Sequence, residues 1–200
     1  MKAEITNQII QIVKQLGIVR PRDMDEYGIH RKYLHMLYDQ GILSRIGRGL
    51  YTLHDREPSE NRSFAEASKR VPSGVICLLS ALRFHRLTTQ SPHEIWMAIH
   101  HKARSPREPG IPIRITRYSG KSLTSGIEQH EIEGVSIRIY NPAKTVADCF
   151  KFRNKIGLDV ALEALRDCHW SRKCTMDDLW KYAKICRVAN IMKPYLESVV

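Results

Sequence analysis

Long apolar runs are missing from this chain of 200 residues. The longest, such as Val75 to Leu79, fall far short of the ~20 residues that a membrane helix needs. The first residues place Lys2, Glu4, Asn7, Gln8 and Gln11 where a secretory signal would be apolar, so none is expected. A soluble cytoplasmic protein with no membrane partner follows as the expectation.

Cysteine is scarce and odd in number: Cys77, Cys149, Cys168, Cys174 and Cys186, with no C-x-x-C. Without a secretory signal a disulfide framework is not expected. Cys168, His169 and Cys174 fall short of the four ligands of a closed zinc site. Free thiols, buried or half-buried, are the expectation.

The phosphate-cradling and catalytic signatures are also lacking. Neither G-x-x-x-x-G-K-[ST] nor G-x-G-x-x-G occurs, and neither H-E-x-x-H nor G-x-S-x-G. His100 and His101 are adjacent on an expected strand and so point to opposite faces, which disfavours joint metal ligation. Glu128, Glu131 and Glu133 read as a solvated hairpin edge. Lys144 and Asp148 are one helical turn apart and read as an ion pair. The expectation is no enzyme, no metal and no cofactor.

Acidic residues are outnumbered. Lys and Arg total 32 and Asp and Glu 21, a formal charge of +11. Such a surplus favours a polyanionic partner, because neutralising phosphates releases counterions. With 42% apolar and 26% charged residues the composition is that of a folded chain, not a disordered one. The surplus is spread out: +3 falls in residues 1–56 and +8 in residues 57–200.

The N-terminal segment carries three short helical patterns. Ile5, Ile9, Ile12, Val13 and Leu16 recur at helical spacing and Gly17 stops them. A second helix starts near Pro21, carries Met24 and Tyr27, and ends at Gly28. A third runs from about His30 to Gln40. It places Tyr33, Leu34 and Leu37 on one face, and Arg31, Lys32, His35 and Asp39 on the other. This is a helix-turn-helix arrangement. Leu43 to Ile46 and Leu50 to Leu53 then flank Gly47-Arg48-Gly49, a hairpin in the position of a wing.

Groove dimensions turn this into candidate contacts. The third helix fits the DNA major groove, so Arg31, Lys32 and His35 are candidates for base or phosphate contact. Arg45 and Arg48 would touch the backbone or minor groove from the wing. Arg20 and Arg22 would clamp phosphates.

The polar stretch 55–61 reads as a linker, giving a winged helix-turn-helix domain over 1–55 and a second domain over 62–200. In the second, 63–70 reads as a helix and 75–79 as a strand or the start of a helix. Ser80 is the candidate cap of a helix to Leu87. Strands are expected over 94–100 and 111–117, and a hairpin over 129–140 around Gly134. Asn141-Pro142 opens a helix. Further helices follow from Gly157 and from Thr175 or Asp177. The expected class is α+β, with a small, mostly antiparallel sheet and C-terminal helices. Its basic surface comprises Lys102, Arg104, Arg107, Arg114, Arg117 and Lys121.

The order helix-turn-helix, then Gly41-Ile42-Leu43, then Arg45-Ile46-Gly47-Arg48-Gly49-Leu50-Tyr51, resembles the AbiEi-type antitoxins. These are transcriptional regulators of bacterial abortive-infection toxin–antitoxin systems of type IV. Ser80-Ala81-Leu82, Leu87-Thr88 and Pro92 are similar to the start of the family's antitoxin domain. Asn141-Pro142-Ala143-Lys144-Thr145-Val146-Ala147-Asp148, followed by Gly157-Leu158-Asp159, looks like its later landmark. The resemblance implies a repressor that binds inverted repeats of double-stranded DNA in its own promoter. It also implies a C-terminal domain that neutralises a nucleotidyltransferase-like toxin, directly or indirectly. The competing expectation is a winged-helix regulator whose α+β domain binds a metabolite.

Overall fold

The structure is a computed structural model that describes residues 2–57, 59–105 and 110–199. It is α+β and divides into two compact units. The first takes in 1–72, 106–111 and 131–137, and the second 73–105, 112–130 and 138–200. The first unit therefore runs past the polar 55–61 stretch and includes the helix that follows it.

The first unit opens with α1 (Lys2–Leu16) and a 3-10 turn at Pro21–Tyr27, followed by α2 (Lys32–Asp39). β1 (Leu43–Gly47) and β2 (Leu50–Leu53) form an antiparallel hairpin, and α3 spans Arg62–Arg70. Apolar residues at helical spacing put Ile9, Ile12 and Val13 inward from α1. They meet Met24, Leu34, Leu37, Leu43 and Tyr51 in one core. Gly17 ends α1 at φ +67°, and its N–H donates to the Val13 carbonyl at 2.9 Å. A Cβ here would stand 1.3 Å from the Glu133 carbonyl oxygen, so the chain needs glycine for space as well as for conformation.

The larger sheet has the strand order β5-β4-β3-β7-β6. The strands are β3 (Val75–Ile76), β4 (Ile95–His100), β5 (Ile113–Tyr118), β6 (Ile127–Ile132) and β7 (Val135–Tyr140). β3 pairs antiparallel with β4 but parallel with β7, and β4 pairs parallel with β5. The sheet is thus mixed rather than mostly antiparallel. Alternation sets which face a residue takes, but it does not set strand direction.

The helices of the second unit are α4 (Leu78–Phe84), α5 (Lys121–Thr124), α6 (Pro142–Lys151), α7 (Arg153–Ile156), α8 (Leu158–Trp170), α9 (Met176–Cys186) and α10 (Ala189–Ser198). α6 is central: every residue from Ala143 to Phe150 is buried, and it packs against α4, α8 and α9. Such all-round burial marks a core helix. Asn141 caps it, its side chain accepting from the Lys144 N–H at 2.8 Å, and Pro142 takes the first helical position. Thr175 and Asp178 cap α9 reciprocally.

Two expectations are corrected here. Cys77, not Ser80, is the N-cap of α4. Ser80 lies within the helix, where its hydroxyl donates to the Glu94 carbonyl and accepts from the Trp96 N–H. It ties α4 to the start of β4. The cysteines are also not all free: Cys168 and Cys174, 6.1 Å apart at Cα, are joined as a disulfide across the turn after α8. Cys77, Cys149 and Cys186 are free and buried. Burial pushes the Cys77 and Cys149 thiols well up, and pushes Cys186 up to about 12, so these thiols stay protonated.

α6 also carries a polar centre inside an apolar core. Lys144 Nζ donates to Asp148 Oδ2 at 2.5 Å, and both side chains are fully buried. Cys186 Sγ donates to the other carboxylate oxygen at 3.3 Å. The ammonium lies 4.0 Å from the Tyr140 ring centroid and 5.0 Å from that of Tyr118. Burial raises the Asp148 carboxyl above its ordinary value, although Lys144 pulls it down.

His85, at the end of α4, gives the second unit an acid-sensitive point. Its Nε2 donates to the Tyr140 carbonyl at 2.8 Å. Burial lowers its pKa, with His130 and Lys173 acting in the same direction. The Tyr140 hydrogen bond and Glu128 act against them. The folded state therefore favours the neutral ring. Its stability is full above the unfolded histidine value of about 6.5 and falls as pH drops through the lower folded value. We expect a fall in melting temperature between pH 7.5 and 5.5, and a smaller fall in His85→Gln. Equal falls in both proteins would remove His85 as a source of the acid sensitivity.

Candidate nucleic-acid interface

The helix-turn-helix is set by local hydrogen bonds. Gly28 takes the left-handed conformation, at φ +65°, and closes the 3-10 turn through its N–H to Asp25. The chain then re-enters a helix within four residues. Leu34 and Leu37 are buried, while Arg31, Lys32, His35 and Asp39 are exposed. His35 Nδ1 lies 3.2 Å from Asp39 Oδ2, one helical turn on. The exposed face is the one that the spacing called for.

The wing is fixed at its base. Val19 bridges antiparallel to Tyr51 through two hydrogen bonds of 2.9 Å, which adds a third short element beside β2. Thr52, buried, donates its hydroxyl to the Gly17 carbonyl at 3.0 Å. Arg48 and Gly49 form the tip, Gly49 at φ +66°, and the pairing register shifts between Arg45 and Gly47. Arg45 and Arg48 are both exposed.

α3 braces this wing from below. Arg70 and Glu66 form an ion pair at 2.8 Å, with side chains 5% and 8% exposed. A Cβ on Gly47 would come within 2.7 Å of the Arg70 guanidinium. Burial raises the Glu66 carboxyl and Arg70 opposes the rise.

Arg20 and Arg22 separate. Arg22 is exposed, as a phosphate clamp requires. Arg20 is turned inward: its guanidinium donates to Asp23 Oδ1 at 3.2–3.3 Å and to the Lys69 carbonyl at 2.8 Å. Lys69 Nζ holds the second Asp23 oxygen at 2.9 Å. Asp23 thus links the turn to α3, and Arg20 is spent on that link.

Tyr38 was not among the sequence candidates. It is 41% exposed, on the same side of α2 as His35, and its ring meets His35 and Tyr51 edge-on at 6.2 and 6.3 Å. The signal was present as spacing: Tyr38 is seven residues from Arg31 and three from His35. An aromatic residue next to Leu37 reads as core when only composition is weighed.

Residues 7–54 match the family of AbiEi antitoxin transcriptional regulators. The matched stretch starts inside α1 and ends just after β2, so it takes in the helix-turn-helix and the wing. The resemblance read from the sequence is borne out over this AbiEi-type segment. Comparison with the curated proteins gives no match.

In the second unit, Lys102 and Arg104 are exposed in the turn after β4, and Lys121 is exposed at the start of α5. Arg114 is paired with Glu94 at 2.7 Å and lies 4.8 Å from the Trp96 ring. Arg117 holds the turn after β4 by its guanidinium. Arg107 lies outside the described residues. Among the described residues no group of three or more His, Cys, Asp or Glu side chains could hold a metal ion. No helix there is long and apolar enough to cross a membrane.

Proposed function

We propose that this chain is a repressor of its own toxin–antitoxin operon. Its AbiEi-type segment binds inverted repeats in double-stranded promoter DNA, and its second unit opposes a nucleotidyltransferase-like toxin. One observation carries the DNA half: the exposed cations of α2 and of the wing lie on the two surfaces with which a winged helix docks, within the segment that matches the family.

The roles divide by position. Arg31, Lys32 and His35 face the major groove from α2, and Tyr38 adds an edge for a base or sugar. Arg45 and Arg48 reach the backbone or minor groove from the wing, and Arg22 holds a phosphate. The chain acts by occupancy and not by catalysis, in the cytoplasm and without a cofactor. Two copies occupy one operator, because an inverted repeat presents two half-sites.

The test uses the full chain and the DNA upstream of its gene. A labelled fragment is expected to shift with protein, and a scrambled repeat to compete at least 10³-fold more weakly. Co-expression with the toxin encoded beside it should restore growth. Equal binding to scrambled DNA refutes the regulatory half. Failure to restore growth refutes the antitoxin half.

A further inference from the structure

Three segments of the second unit carry positive charge and no negative charge. Residues 100–105, 117–124 and 151–157 hold seven Lys or Arg and two His, with no Asp or Glu. The fold brings them together. Arg117 Nη1 donates to the carbonyls of His101 and Ala103, both at 2.8 Å, and Nη2 to Ser105 Oγ at 3.2 Å. This fixes the turn and leaves Lys102 and Arg104 exposed upon it. The next residue, Tyr118, stacks near Phe152 with centroids 5.4 Å apart. Lys151 Nζ donates to Ser122 Oγ at 3.1 Å, beside Lys121, and Lys155 lies 5.7 Å from the Phe152 ring. Lys102, Lys121, Lys151 and Lys155 are all exposed. Among the described residues none of the seven cations is ion-paired.

The shape of this ridge constrains its partner. α5 and α7, which flank it, are four residues each. Neither can enter a DNA major groove as a recognition helix does. At one end the rings of His100 and His101 stand exposed, with centroids 4.3 Å apart. His101 has left the strand, so the two rings lie side by side and not on opposite faces. A cationic track with exposed aromatic rings suits a flexible strand: phosphates follow the cations and unpaired bases stack on the rings.

We propose that the second unit binds single-stranded RNA along this ridge. The ridge belongs to the second unit and the helix-turn-helix to the first, and the proposal does not depend on the operator reading. Lys121 and Lys155 contact phosphates, the imidazoles take bases, and Arg117 positions the turn.

The test is fluorescence anisotropy of the full chain with a labelled single-stranded RNA of about 12 nucleotides. Single-stranded DNA of the same sequence and the operator duplex are the other arms. The double variant Lys121→Glu, Lys155→Glu is expected to bind the RNA at least 10-fold more weakly. Its log–log salt dependence should become shallower by about 1.4, because two phosphates are no longer neutralised. Operator affinity should stay within about threefold. Lys121→Gln, Lys155→Gln keeps the test valid if the charge swap fails to fold, and should lose affinity in the same direction. The control Lys181→Glu, Lys184→Glu, on α9, should leave RNA affinity unchanged. The proposal is overturned by no RNA binding by the wild-type chain, by equal losses in ridge and control variants, or by loss of operator binding with RNA binding intact. Preference for the DNA single strand by more than tenfold also overturns it.

Discussion

Asp148→Ala is expected to destabilise the second unit by about 3–5 kcal/mol, the cost of leaving a buried charge without its partner. The Lys144 ammonium and the Asp148 carboxylate are both fully buried, 2.5 Å apart. Removing the carboxylate leaves the ammonium among Tyr118, Tyr140 and the apolar face of α6, with only the ring faces to offset its charge. It also removes the acceptor of the Cys186 thiol. A second comparison separates charge from packing. Lys144→Met with Asp148→Leu removes both charges at similar volume, and should be much less destabilising than Asp148→Ala alone. The urea midpoint measures each. A midpoint for Asp148→Ala equivalent to less than about 1 kcal/mol of loss would mean that the pair is not desolvated as the structure has it.

This pair shows where a sequence stops being legible. The spacing of Lys144 and Asp148 shows an ion pair as soon as a helix is drawn. Its burial is not visible, because one turn of spacing looks the same on a solvated helix as on a central one. That α6 is central depends on α4, α8 and α9 closing around it. The same holds for Arg20. Its position near Pro21 suggested a phosphate clamp, but its partner Lys69 is 49 residues away and no local pattern reports it. Strand direction was likewise hidden, since β3 pairs with β7 across more than sixty residues of chain. Cys168 and Cys174 meet because the chain turns after Trp170, and six residues of separation alone do not require that.

Local features were legible. Gly17 and Gly28 end their helices in the left-handed conformation that glycine tolerates, and Gly49 turns the wing. The exposed face of α2 follows from a spacing of three and four. α10 escaped notice because Pro194 interrupts its pattern, although Met192 and Leu196 are buried at helical spacing. Three of the seven cations of the ridge escaped for another reason. Lys151, Arg153 and Lys155 sit on α6 and α7, some thirty residues past Lys121, and only the fold makes them one surface with it.

The full chain carrying Arg31→Ala and Arg48→Ala is expected to bind the operator about 100-fold more weakly while still opposing the toxin. Arg31, at the N-cap of α2, and Arg48, at the wing tip, are exposed on the two surfaces proposed to dock. Taking one cation away from a base or phosphate costs about 1–3 kcal/mol, and the two sites do not touch, so the two costs should add. The salt dependence should become shallower by about one for each phosphate that is no longer neutralised. Neither side chain supports the fold: the core of this unit is Ile9, Val13, Leu34, Leu37 and their neighbours. The melting temperature should therefore stay near that of the wild-type chain, and a fall of more than a few degrees would disqualify the variant as a test. Promoter activity and growth rescue are then read in the same cells. Derepression with growth rescue intact is the outcome that two separable functions require. Loss of both, in a folded chain, would mean that the toxin is opposed through DNA binding alone, and the second unit would lose its assigned role.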